Sequence, residues 1–156
     1  LGISVAGVAF FQNEPDGFRG YMWGDFPMED MNYLMIAKGM SGYIRENEKM
    51  SIGDVPLDRI IYVFFDEPER FFGALCYFSK EENYDLLKII LQGTFGEETN
   101  TDFFHKLQWM GQVTYIELDY DSLEESGTLI FASTVISMEY MEAVEKKAAE
   151  KAVDDF

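Results

Sequence analysis

The sequence has few of the residues that build metal sites and nucleophilic sites, because it contains one cysteine, Cys76, and one histidine, His105. One cysteine cannot form a disulfide within the chain, and one histidine excludes a metal site with several histidine ligands. Cys76 lies in the apolar segment 74–78 (ALCYF), where a thiol tends to be buried and protonated. We therefore predict that Cys76 belongs to the core and that His105 lies at the surface or at a strand edge. We predict no metal site and no cofactor.

Basic residues are scarce as well. The chain has 12 Lys and Arg against 29 Asp and Glu, which gives a net charge of −17. Binding to nucleic acid or to an anionic membrane surface needs clustered basic side chains. No apolar stretch approaches the length of a membrane-spanning helix, about 20 residues. The sequence therefore predicts neither a nucleic-acid partner nor insertion into a membrane.

The common catalytic motifs are also missing: there is no GxSxG, no phosphate-binding loop, no GxGxxG and no HExxH. Acidic residues crowd one predicted turn, at Asp119, Asp121, Glu124 and Glu125. Their spacing does not match an EF-hand loop, because Leu123 stands at a ligand position and the sixth position is not Gly. We interpret this segment as a solvated turn. An enzyme that uses paired carboxylates stays as an alternative to a protein without catalysis.

The first eleven residues, 1–11, are uncharged and mostly apolar. The β-branched residues Ile3, Val5 and Val8 favour a first β-strand. The small residues between them resemble the neighbourhood of a signal-peptide cleavage site, so a signal-peptide remnant is the other interpretation. Low cysteine content fits the periplasm and the cytoplasm equally well. We lean towards an exported protein and keep a cytoplasmic one as the alternative.

Hydrophobic periodicity predicts three helices. The first covers 25–39, where Met28, Met31 and Met35 recur at helical spacing and Gly39 ends the segment. The second covers 81–92, and the third is a long C-terminal helix. Between the helices, alternating and β-branched runs predict six strands, at 42–46, 59–65, 71–78, 107–110, 113–120 and 128–133.

This order predicts an α+β fold. It contains two helix-plus-three-stranded antiparallel meander units that form one curved sheet, followed by the long C-terminal helix. We predict a single domain over 1–156. The two units, 23–78 and 79–133, have nearly equal lengths, which indicates an internal repeat, and the C-terminal helix covers 134–156.

A family resemblance begins at segment 17–24 (GFRGYMWG), which resembles the FRGxxWG opening of small bacterial proteins of unknown function, many of them with export signals. Further positions match in the same order along the chain: Tyr43, Arg45, Ile61, Tyr62, Phe64, Phe95, Gly96, Trp109, Ile116, Leu118, Tyr120, Asp155 and Phe156. The resemblance covers most of the chain and implies a shared fold. It implies no activity, since none is established for that family.

The succession of helix, Phe-Gly, Trp and two strands is also similar to small envelope modules. These are the SmpA/OmlA-type outer-membrane assembly lipoproteins and, in tandem form, the β-lactamase inhibitory protein. Both are binding modules without catalysis, so this fold-level resemblance implies a binding role. Two departures stand against it: Glu97 and Glu98 occupy the place where a Pro usually follows the Phe-Gly pair, and no lipobox cysteine is present.

Six residues are candidate binding residues. Arg19 and Arg45 are rare cations that stand among aromatic residues, including Trp23. They suit either an anion clamp or a structural pair that holds the opening loop to the sheet. Methionine lines surfaces that bind varied apolar partners, and it also fills irregular gaps in cores. The three methionines of the first predicted helix are Met28, Met31 and Met35.

These observations favour a non-catalytic protein-binding or adaptor module whose partner is another protein or an apolar ligand. The alternative is a domain that binds a small molecule or a peptide in a pocket between sheet and helices. The sequence does not determine the oligomeric state.

Overall fold

The computed structural model describes residues 11–66, 68–102 and 105–156. The two interpretations of the N-terminal segment, a strand or a signal-peptide remnant, therefore concern residues outside the described part, except for Phe11. That residue is buried beside Phe95, with the two ring centroids 5.7 Å apart.

The described residues form twelve strands and two α-helices, with a 3-10 turn after the second helix. In chain order these are β1 (Gly17–Phe18), β2 (Tyr21–Met22), β3 (Met31–Ala37), β4 (Met40–Arg45), β5 (Ser51–Ile52), β6 (Val55–Pro56), β7 (Arg59–Asp66), β8 (Glu69–Ser79), α1 (Glu81–Phe95), β9 (Asn100–Asp102), β10 (Lys106–Met110), β11 (Thr114–Asp121), β12 (Ser126–Ser133), α2 (Thr134–Ala152) and the 3-10 turn (Val153–Asp155).

Eight strands make one large sheet in the order β3-β4-β7-β8-β12-β11-β10-β9, and all neighbours are antiparallel. The last strands of the two halves, β8 and β12, pair at the centre, with Cys76 opposite Leu129. The edges of the sheet are therefore the first strand of each half, β3 and β9. Two short hairpins, β1-β2 and β5-β6, stand apart from this sheet. The α+β class and the long C-terminal helix are confirmed.

The predicted first helix over 25–39 is wrong, since Met31–Ala37 is strand β3. A β-bulge between Tyr33 and Met35 shifts the pairing with β4, so the apolar residues lose the plain alternation that indicates a strand. Gly39 does not end a helix. With Lys38 it forms a two-residue hairpin turn in which both φ angles are positive, 35° and 83°.

The predicted unit of one helix and three strands is therefore not what forms. Each half of the sheet has four strands, and the sheet has eight strands where the sequence predicted six. The extra strand of the second half is β9, a three-residue segment too short to give a periodic signal. The internal repeat over 23–78 and 79–133 stays a prediction.

The inner face of the sheet packs against α1 and the opening segment, and this layer forms the main core. Trp109, Tyr62 and Phe64 are fully buried there, and α1 contributes Leu87 from its buried side. Burial alternates strictly along β11, in agreement with a sheet that has one buried face.

Among the described residues, the start of α2 covers one corner of the outer face. Ile136 is the buried residue of that helix, and it packs with Ile61, Val63 and Phe72. Tyr140 stacks on Phe72, with ring centroids 5.7 Å apart. Beyond these first turns the helix leaves the sheet, and its later residues are largely exposed. None of the helices among the described residues combines the length and the apolar content needed to cross a bilayer.

Candidate functional site

Arg19 forms an ion pair with the carboxylate of Glu48. Its Nη1 atom lies 2.6 Å from Oε1 of Glu48, and the same guanidinium donates to the carbonyl oxygens of Lys49 and Ser51. The other carboxylate oxygen of Glu48 accepts a hydrogen bond of 2.5 Å from the hydroxyl of Tyr62. The side chains of Glu48 and Arg19 are 8% and 21% exposed, so this pair is largely shielded from water.

Arg45 forms a parallel arrangement with Asp30. Its Nε atom donates to the Asp30 carboxylate at 2.7 Å, and its guanidinium carbon lies 4.9 Å from the ring centroid of Tyr21. The Tyr21 hydroxyl donates to the same carboxylate at 2.6 Å. The hydrogen bonds from Tyr21 and then from Arg45 lower the pKa of Asp30. Arg19 therefore ties the opening segment to the stretch 48–51 that follows β4, and Arg45 ties it to β4 itself. An anionic ligand would have to displace a carboxylate to reach either arginine.

Trp23 is partly buried and connects the two halves of the sheet. Its indole N–H donates to Oγ1 of Thr114 at 2.7 Å, and its ring lies 4.9 Å from that of Phe71. Thr114 is fully buried and donates in turn to the carbonyl of Pro15. Glu14 accepts hydrogen bonds from the backbone N–H of Thr114. These contacts fix the opening segment against β11.

The three candidate methionines do not share one surface in the structure. Met31 faces the core and is 7% exposed, whereas Met28 in the preceding turn is 53% exposed and Met35 is 48% exposed. Met35 points to the outer face, because it pairs with Gly42, which in turn pairs with Val63 of that face. The bulge after Tyr33 separates Met31 from Met35, although the two would share a face in a regular strand.

We call the concave surface beside Met35 the sheet groove. It has a volume of about 610 Å³ and lies on the outer face, across β3, β4, β7 and β8. A Cβ atom at Gly42 would lie 3.1 Å from the Met35 side chain, so the glycine deepens the floor of the groove. Its lining is mostly apolar and consists of Met35, Ala37, Met40, Gly42, Asp58, Arg59, Ile61, Val63, Leu75 and Tyr77.

A second concave surface, the helix groove, lies between α2 and the β3-β4 turn. Its volume is about 580 Å³. Phe65, Tyr140 and Val144 supply apolar surface, and lysines stand around it. Among the described residues, its lining consists of Lys38, Gly39, Phe65, Tyr140, Ala143, Val144, Lys147, Ala148 and Lys151. Sequence analysis missed the lysines, although Lys147 and Lys151 are spaced four apart and so share one face of a predicted helix.

The only thiol and the only imidazole of the chain do not form a catalytic pair. Cys76 is buried in the core, as predicted, and this burial raises the pKa of its thiol to about 12. A thiol with so high a pKa is a poor nucleophile at neutral pH. His105 is exposed and packs edge-on against the ring of Tyr84. No group of three or more His, Cys, Asp and Glu side chains among the described residues is arranged to hold a metal ion.

Tyrosine hydroxyls donate hydrogen bonds to several carboxylates in this chain. With 12 basic residues for 29 acidic ones, few guanidinium or ammonium groups are available as partners. Two causes raise the pKa of Tyr21 and Tyr43 to about 12: burial has the larger effect, and the hydrogen bond to a carboxylate has the next largest. The same two causes raise the pKa of Tyr62 and Tyr115. The four pairs are Tyr21–Asp30, Tyr43–Glu69, Tyr62–Glu48 and Tyr115–Glu117.

We expect the free energy of unfolding to fall steeply above about pH 10 because of these pairs. A pKa raised by folding means that the folded state favours the neutral phenol. This contribution is fully present below the unfolded pKa of about 10 and is lost as pH rises through the folded values. Urea titrations across this range, with tyrosinate absorbance recorded in parallel, measure the effect. Tyr43→Phe should make the decline shallower, and a constant free energy of unfolding would contradict the prediction.

No family model, no curated protein and no solved structure matches this chain. The resemblance carried by the FRGxxWG opening therefore stays a prediction.

Proposed function

We propose that this chain is a non-catalytic protein-binding module that takes up an extended segment of a partner protein at strand β3. The segment adds one strand to the large sheet, and its side chains on the outer face rest in the sheet groove. Main-chain hydrogen bonds supply affinity in this mode, and the pockets for alternate side chains supply specificity. The observation that carries the proposal is the contrast between the two edges of the sheet.

Natural sheets protect their edges with short strands, charged side chains or bulges. The edge strand β9 is protected by its length, because it has only three residues. The edge strand β3 has seven residues, MNYLMIA, and none of them is charged. Its one protective feature is the bulge after Tyr33. Among the described residues, no strand pairs with the outer edge of β3.

The sheet groove adjoins this edge and explains which partner side chains would fit. Met35 and Ala37 of β3 form its outer wall, and Val63 and Leu75 lie deeper in the sheet. Side chains of an added strand alternate between the two faces, so every second residue of the partner would extend this apolar surface. The partner segment therefore carries apolar residues at every second position.

Met35→Lys tests the proposal, because it places a charge at the edge and at the mouth of the groove, as natural edge strands do. The probe is a displayed library of random dodecapeptides selected on the immobilised full chain. We expect enriched peptides with alternating apolar residues, and we expect Met35→Lys to weaken their binding by about 10-fold or more. Amide hydrogen exchange should slow in β3 when such a peptide binds.

Ile89→Lys is the matched control, because Ile89 is 65% exposed on the solvent side of α1 and lies outside the sheet groove. This variant should bind the selected peptides like the unmodified chain. The proposal fails if no peptide is enriched, if Met35→Lys binds as tightly as Ile89→Lys, or if exchange protection appears away from β3.

A further inference from the structure

We propose that the helix groove is a separate binding site for a free monoanionic amphiphile, a long-chain carboxylate whose tail lies on the apolar floor and whose headgroup lies between Lys147 and Lys151. This site shares no lining residue with the sheet groove. The inference therefore does not depend on the strand-binding proposal, and the two can fail independently.

The first support for the proposal is the uneven distribution of charge around α2. The helix contains four glutamates and three lysines over Thr134–Ala152. Two of the lysines line the groove and none of the glutamates does. Glu139 is paired with Arg70 on the sheet, with their atoms 2.6 Å apart. Glu142 and Glu145 lie on another side of the helix, beside Met138 and Met141.

The second support for the proposal is the lack of an ion pair at either groove lysine among the described residues. Within 11–66, 68–102 and 105–156, no carboxylate forms an ion pair with Lys147 or Lys151, although the chain has 29 acidic residues. They lie one helical turn apart and flank Ala148, whose small side chain leaves the surface between them open. An anionic headgroup placed there gains two ammonium neighbours.

The floor and size of the groove define the rest of the ligand. Phe65, Tyr140, Ala143 and Val144 give an apolar surface. Its volume of about 580 Å³ lies within the range of small-molecule sites, about 300–1,000 Å³. A ligand that fits has an extended apolar tail and one charged end.

The net charge of the whole chain restricts the number of charges on the ligand. At −17, the protein repels a segment with many acidic residues over distances near the Debye length, about 8 Å at physiological ionic strength. A single carboxylate experiences the least of this repulsion and still meets both lysines. A monoanion therefore fits the groove better than an acidic peptide does.

Calorimetric titration of the full chain with dodecanoate, below its micelle-forming concentration, tests the site. We expect one dodecanoate per chain with a Kd of about 10–1,000 μM. Exposed charge pairs each change a binding constant by a factor of a few, so Lys147→Gln combined with Lys151→Gln should weaken dodecanoate about 5- to 20-fold. Ala143→Glu, which places a carboxylate on the floor, should abolish binding while circular dichroism stays unchanged.

Lys146→Gln is the matched control on the same helix, since Lys146 does not line the groove. It should bind dodecanoate like the unmodified chain, as should Met35→Lys from the sheet groove. Dodecyltrimethylammonium has an alkyl tail of nearly the same length with a cationic headgroup, and it should bind more weakly than dodecanoate. Equal binding of the two amphiphiles, or an unchanged Kd in the double lysine variant, overturns the proposal. So does binding to phosphatidylglycerol vesicles without binding of free dodecanoate, because it would indicate a membrane surface instead.

Discussion

Trp109→Ala is expected to lower the free energy of unfolding by about 3–5 kcal/mol. Trp109 is fully buried in the core, with 0% of its surface accessible to water. Its indole N–H donates to the carbonyl of Gly96 at 2.9 Å, at the end of α1. The substitution leaves a cavity between β10 and α1 and removes this hydrogen bond. For a domain whose total stability is about 5–15 kcal/mol, this is a large fraction.

Urea denaturation followed by circular dichroism measures this effect, with the slope of the transition as a check that the unfolded state is unchanged. Trp109→Phe keeps most of the apolar volume and loses the N–H donor, so we expect an intermediate loss. Met110→Ala is the matched control, because Met110 follows directly in β10, faces away from the core and is 49% exposed. A loss in Trp109→Ala no greater than that in Met110→Ala would show that this part of the core is misassigned.

Glu48→Ala has the second largest expected effect, a loss of about 2–4 kcal/mol in the free energy of unfolding. Removing one partner of a fully buried ion pair costs about 3–5 kcal/mol, because it leaves a buried charge without compensation. The pair here is slightly less buried, since the Arg19 side chain is 21% exposed. Without Glu48, the hydroxyl of the fully buried Tyr62 also loses its acceptor.

Glu46→Ala is the control for this prediction, because Glu46 is exposed and its side chain accepts an exposed 3.2 Å hydrogen bond from Asn32. It should change the free energy of unfolding by no more than about 0.5 kcal/mol. A double-mutant cycle with Arg19→Met separates the pair from its surroundings. Removing both charges should cost less than the sum of the two single losses, because neither charge then stays buried alone. Strict additivity would mean that Arg19 and Glu48 do not interact in solution.

The candidate arginines illustrate how far residue types alone predict a site. Scarce cations among aromatics indicated that Arg19 and Arg45 were important, and the structure places both in ion pairs with aromatic contacts. Their partners, Glu48 and Asp30, could not be selected, since 29 acidic residues offered no basis for a choice. Lys147 and Lys151 were missed because the lack of an ion pair, within the part of the chain that the structure describes, becomes visible only when the neighbours in space are known.

The amino-acid sequence alone determined two limits on the side-chain chemistry of this chain and most of its regular segments. Composition excluded a disulfide within the chain and a metal site built from several of its histidines. The strong local patterns of β7, β8, β11, β12 and α1 indicated their structure correctly. Local periodicity suffices where one side of an element faces a core along its whole length.

Tertiary structure alone decided strand β3, the pairing of β8 with β12 and both grooves. The methionines of 28–35 fit a helix in isolation, and only pairing with β4 and the bulge after Tyr33 make the segment a strand. Which strands form the edges of the described sheet, and where α2 leaves the sheet, depend on contacts between residues far apart in sequence. Such contacts have no periodic signature, so these features follow from the assembled fold and not from any one segment.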